Sequence, residues 1–154
     1  MAPQSKKCIV VGIGNPLLTD ERAGIEVVER LKSQNADVET ATRYSAERDV
    51  LDIIMGYEQA VIVDACQLGL QPGTVLEVTP EEMLDRCAAA SSHAGALGDA
   101  LKTGIECYPD QMPSDIKIML VEIEDVSTFS TQCTPVVSHA IGDVVSRIHA
   151  GRPN

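Results

Sequence analysis

Two adjacent carboxylates close a glycine turn near the start of the chain. The run is Gly12-Ile-Gly-Asn-Pro-Leu-Leu-Thr-Asp-Glu-Arg-Ala-Gly24, and it delivers Asp20 and Glu21 to the start of an amphipathic segment. A dinucleotide-binding turn needs a third glycine in G-x-G-x-x-G, and Leu17 stands in that place. Paired carboxylates repel a phosphate and attract a cation. A second acid, Asp64, ends the apolar run Ala60-Val-Ile-Val-Asp64, so a charge sits where a buried strand meets its edge. His93 lies in a stretch of small residues ahead of a helical segment and is the natural third member. Two carboxylates and one imidazole, with open positions, suit a divalent transition metal such as nickel or zinc.

Each of these residues also has a plainer reading. Acids in a first helical turn stabilise the helix dipole, which is the default for Asp20 or Glu21 taken alone. Asn15 tolerates turn conformations, and shaping the turn is its expected role. Cys66 and His93 could form a nucleophile–base pair, but a structural thiol is the better reading of Cys66. His139 and His149 fall on the polar face and in the final turn of the last helix, and neither is assigned a function.

The elements that must position the site can be read in order. Cys8 to Val11 is a buried strand, and Thr19 is the expected N-cap of a helix running from Asp20 to about Asn35. Its apolar positions are Gly24, Val27, Val28 and Leu31, and Glu26 is spaced to pair with Arg30. Val38 to Thr42 is a second strand, Asp49 to Met55 a short helix ended by Gly56, and Ala60 to Asp64 a third strand buried on both faces. This β-α-β-α-β order predicts a parallel sheet covered by helices on both sides. Thr74 to Thr79 follows too closely for a parallel crossover, so it is expected as an antiparallel edge strand.

Pro80 to Arg86 is a short helix, Cys87 to Ser92 a loop, and Ala94 to Lys102 a modest helix. Ile116 to Ile123 is the last strand, and Pro135 opens a helix with the stripe Val137, Ala140, Ile141, Val144 and Ile148. The fold class is α/β: a three-layer α/β/α sandwich, one domain over residues 1–154, with a mostly parallel five-stranded twisted sheet and one antiparallel strand. Ligands of such sheets bind at the carboxyl ends of the strands. If the first and third strands are neighbours, Glu21 and Asp64 face one crevice.

Composition narrows the partners. A net charge of −11 opposes binding to nucleic acid or an anionic membrane. No apolar run is long enough to span a bilayer, and the start does not read as a signal peptide. The five scattered cysteines contain no C-x-x-C pair, so reduced thiols and a cytoplasmic location are expected. No apolar stripe is left unassigned, so a monomer is expected.

The opening run resembles the G-x-G-N-x-L-x-x-D-E-x-x-G start of the hydrogenase maturation endopeptidases, which trim the C-terminal extension of nickel–iron hydrogenase large subunits. Val61-Ile-Val-Asp64-Ala65 is similar to that family's strand ending in a metal-binding Asp, and Ser92-His93 with Gly98 to its metal-binding His loop. Glu124 and Thr134-Pro135-x-Val137 are similar to its closing acid and last helix start. The usual D-G-G-T-x-G turn is replaced here by Thr40-Ala-Thr-Arg-Tyr44-Ser45, in a loop expected to face substrate. The resemblance implies a site of Glu21, Asp64 and His93, serving both as metal ligands and as catalytic residues, and it selects Glu21 over Asp20. It also implies an immature large subunit as partner, nickel already installed in that substrate as the metal recognised, and cleavage after a His or Arg near its last C-x-x-C ligands. Zinc or cadmium would occupy the same ligands in vitro.

No G-x-S-x-G elbow or H-E-x-x-H helix is present. Hydrolysis would then rest on a metal polarising the carbonyl, or on water activated by Asp64 or Glu21. Two alternatives use the same residues differently. One is a nickel-binding assembly chaperone that does not cleave. The other is a peptidyl-tRNA hydrolase, suggested by Gly12-Ile-Gly-Asn-Pro16 but opposed by the missing T-R-H-N segment and the acidic charge.

Overall fold

The computed structural model describes residues 6–44, 49–87, 92–125 and 127–151. Five strands form one sheet in the order β2-β1-β3-β5-β4. These are β1 (Lys6–Ile13), β2 (Glu39–Arg43), β3 (Tyr57–Cys66), β4 (Val75–Val78) and β5 (Asp115–Glu122). The pairs β1–β2, β1–β3 and β3–β5 are parallel, while β4 runs antiparallel to β5 at the edge. The condition for a shared crevice, that the first and third strands be neighbours, is therefore met, with Gly12 opposite Val63.

Successive side chains on a strand point to opposite faces, and both faces here are buried. Ile9, Val11, Ile62, Ile118 and Leu120 face one layer, with Val50, Leu51 and Ile54 of α2 (Asp49–Ile54). Met83 of α3 (Pro80–Cys87) and Leu97 and Leu101 of α4 (Ser92–Cys107) complete that layer. Val10, Val61, Val63, Met119 and Val121 face the other layer. There they meet Val27, Val28 and Leu31 of α1 (Ala23–Ser33), and Val137, Ala140, Ile141, Val144 and Ile148 of α5 (Pro135–Ala150). The apolar stripes expected for the first and last helices are thus the buried ones, and Arg30 pairs with Glu26 at 3.6 Å.

Three expectations about the bounds of the elements need correction. The first helix begins at Ala23, and its N-cap position is Arg22 without a side-chain cap. Thr19 does not cap it, because its hydroxyl donates to the Thr128 carbonyl at 2.6 Å. The fourth helix begins at Ser92 and runs to Cys107, so the backbone of His93 lies in its first turn rather than in a loop. Small residues permit either conformation, and packing of Leu97 and Leu101 decides for the helix. The third strand continues past Asp64 to Cys66, which places that acid inside the ladder. Among the described residues, no helix is long and apolar enough to cross a membrane.

Candidate active site

Gly12 and Gly24 set the close approach of α1 to the sheet. A methyl group on Gly12 would overlap the Gly24 carbonyl, and one on Gly24 would overlap the carbonyls of Ile13 and Val63. Only glycine allows that contact. Gly14 does the same for the turn, since the Glu21 carbonyl packs directly on its Cα. The Asn15 N–H donates to the same carbonyl at 3.1 Å. Asn15 Oδ1 accepts from the Leu17 N–H at 2.9 Å, the turn-shaping role expected of it. The glycine turn therefore holds the backbone of Glu21 from two sides.

A cleft of about 180 Å³ opens at the carboxyl end of β1 and β3. Glu21, Asp64, Asn15, Tyr44, Cys66 and Gln67 are among its lining residues. Glu21 is half-buried, and Asp64 is 4% exposed. The Asp64 carboxylate receives one backbone hydrogen bond, from the Ala65 N–H to Oδ1 at 2.8 Å. Burial pushes the Asp64 carboxyl up to about 8; the Ala65 bond opposes this and the Glu21 charge adds to it. The acid thus keeps its proton near neutral pH, in the range useful for proton transfer.

Two other buried acids are spent on structure. Glu122 Oε1 accepts from the N–H groups of Leu68 at 2.7 Å and Leu70 at 3.0 Å, which ties down the loop after β3. Asp20 is fully buried and accepts the N–H groups of Glu124, Asp125 and Thr134 at 2.8–3.0 Å, with the Thr134 hydroxyl. It is a loop anchor, not a helix-start charge. The Thr of the Thr134-Pro135 helix start is likewise committed to Asp20 and does not cap its own helix with its side chain. Glu122 was missed in the sequence, although it follows an apolar run just as Asp64 does. Glu124 is exposed and meets Asp20 through its backbone.

Of the sequence-derived residues, Glu21 and Asp64 come together in one cleft. The side chain of His93 and the residue Ser45 lie outside the described residues. Tyr44, in the loop expected to face substrate, lines the cleft. Among the described residues, no three His, Cys, Asp or Glu side chains are grouped to hold a metal ion. Two carboxylates facing one cleft are the donor chemistry a divalent cation takes, so the pair fits part of such a site.

A family model described as HycI, hydrogenase maturation protease, matches residues 25–150. The chain belongs to the hydrogenase maturation protease family. The matched span begins after the Gly12–Gly24 turn, so the turn and Glu21 are independent of it. Among solved structures, the hydrogenase maturating endopeptidase HybD from E. coli is 25% identical with a TM-score of 0.77. That similarity covers 94% of this chain and 90% of that one. HybD from Thermococcus kodakarensis is 18% identical with a TM-score of 0.77, over 96% of this chain and 99% of that one. The E. coli endopeptidase HycI is 17% identical with a TM-score of 0.73, over 94% and 90%. The latter two likenesses carry the fold alone. No curated protein sequence matches. This maturation protease is therefore a peptide hydrolase, which displaces the chaperone and peptidyl-tRNA hydrolase alternatives.

Proposed function

We propose that the protein removes the C-terminal extension of a nickel–iron hydrogenase large-subunit precursor once nickel is installed, with Glu21 and Asp64 as working groups. The observation that carries this reading is the cleft itself. A half-buried carboxylate and a buried acid that holds its proton to about pH 8 share it, with no other described acid in its lining. His93 joins them on the family resemblance. Strand parity supports this, since Asp64 shares the face of Ile62 and Cys66, which pack with Leu97 and Leu101 of α4. The first turn of α4 carries His93. The substrate's nickel meets Glu21 and His93 and brings the neighbouring peptide bond into the cleft, and Asp64 becomes a ligand only once it has given up its proton.

The chemistry follows from the different states of the two acids. Glu21 accepts a proton from a water as its oxygen attacks the scissile carbonyl carbon. Asp64 gives its proton to the departing amide nitrogen, so the C–N bond breaks to a neutral amine and a new carboxyl terminus. Positioned general acids and bases each contribute about 10²–10⁴-fold.

The test mixes the protein with purified precursor, nickel-loaded or nickel-free, and follows the precursor's mass. Wild-type protein is expected to shorten only the nickel-loaded form. Glu21→Gln and Asp64→Asn are each expected to lower the rate at least about 100-fold, and His93→Ala to weaken recognition of the loaded form. An unchanged mass with wild type under both conditions overturns the reading, and wild-type rates in all three variants overturn the site.

A further inference from the structure

We propose that Asp20 is a positioning residue for substrate binding, acting through a two-loop apolar rim made by Leu17 and Phe129. The proposal rests on the endopeptidase reading and names how its peptide substrate is gripped. The loop after β5 is joined to the turn after β1 along a short ladder. Leu18 bridges Phe129, the Thr19 N–H donates to the Thr128 carbonyl at 2.9 Å, and the Ser130 N–H donates to the Leu17 carbonyl at 3.1 Å. Asp125 shapes that loop internally, its Oδ1 accepting from Ser127 and Thr128. Asp20 attaches it, gathering three backbone N–H groups and one hydroxyl on a fully buried carboxylate. Charge-assisted bonds of this kind are strong and directional.

What this anchoring presents is apolar. The most exposed large hydrophobic residues described are Phe129 at 77%, Tyr44 at 72% and Leu17 at 64%. All three stand on loops leaving the carboxyl ends of β5, β2 and β1, around the end of the sheet where the cleft opens. Asn15 connects cleft and rim directly, since it lines the cleft and holds the Leu17 N–H. Exposed apolar side chains on neighbouring loops at one end of a sheet mark a contact surface. Its continuity with the cleft identifies the occupant as an apolar stretch of the peptide substrate beside the scissile bond.

The test is a double-mutant cycle on processing of nickel-loaded precursor by the full chain. Leu17→Ser with Phe129→Ser is expected to raise KM about tenfold while kcat stays within about twofold, the size of a small binding hot spot. Asp20→Asn turns an amide NH₂ toward backbone donors and is expected to raise KM similarly. In the rim-substituted background it is expected to add little, because coupled residues are not additive. Thr134→Val weakens the same anchor and carries the comparison should Asp20→Asn fail to fold. A KM unmoved by the rim substitutions overturns the proposal. So does an Asp20 or Thr134 effect that multiplies fully with them. Absence of cleavage by wild type overturns the endopeptidase reading, and this proposal with it.

Discussion

Asp20, Glu21, Asp64 and Glu122 are all acids near the carboxyl ends of strands, and their surroundings give them different work. Asp20 and Glu122 are met by backbone N–H groups, so their buried oxygens have hydrogen-bond partners. Asp64 has one such donor and the Glu21 charge nearby, so it holds its proton instead. The consequence for stability has a definite sign. The folded protein retains a proton to about pH 8 that the unfolded chain releases near the ordinary 3.8. The stabilising contribution is therefore complete below the unfolded value, and it is lost as pH rises through the folded one. Asp64→Asn cannot ionise. The melting temperature of wild type is expected to fall relative to Asp64→Asn from about pH 5 to about pH 9. A constant gap between the two across that range would mean that Asp64 is ionised throughout.

At the scale of elements, the contact between α1 and the sheet is the tightest constraint on the site. Gly12 and Gly24 let the helix sit on β1 and β3 with backbone touching backbone, and Gly14 seats the Glu21 carbonyl in the same way. Gly24→Ala has no space to expand into, because carbonyls of two strands face the added methyl. It is expected to cost about 3 kcal/mol in urea denaturation and to displace Glu21. An unchanged midpoint would show that the helix can lift away freely. The glycines and Asn15 were legible as a turn in the sequence, and so was the short helix ended by Gly56, whose φ is +89°. The helix start was misplaced, because Thr19 looks like a cap until its hydroxyl is seen bonded to Thr128 across the chain.

At the scale of the whole molecule, one sheet carries both apolar layers, so neither can unfold while the other keeps its packing. Denaturation is expected as a single transition, with far-UV circular dichroism and tyrosine fluorescence superimposing. Separated midpoints would show that the α1–α5 layer and the α2–α4 layer melt independently. By itself the sequence determined most of the elements and the antiparallel edge strand, and it set the condition under which Glu21 and Asp64 would share a crevice. Those follow from periodicity, from connection length and from the rule that open sheets bind ligands at strand ends. Only the tertiary structure decided which acids are free to do chemistry. An acid's role depends on the donors that long-range contacts bring to it. The partners of Asp20 lie more than a hundred residues away, at Glu124, Asp125 and Thr134, and those of Glu122 lie at Leu68 and Leu70 in the loop that follows β3.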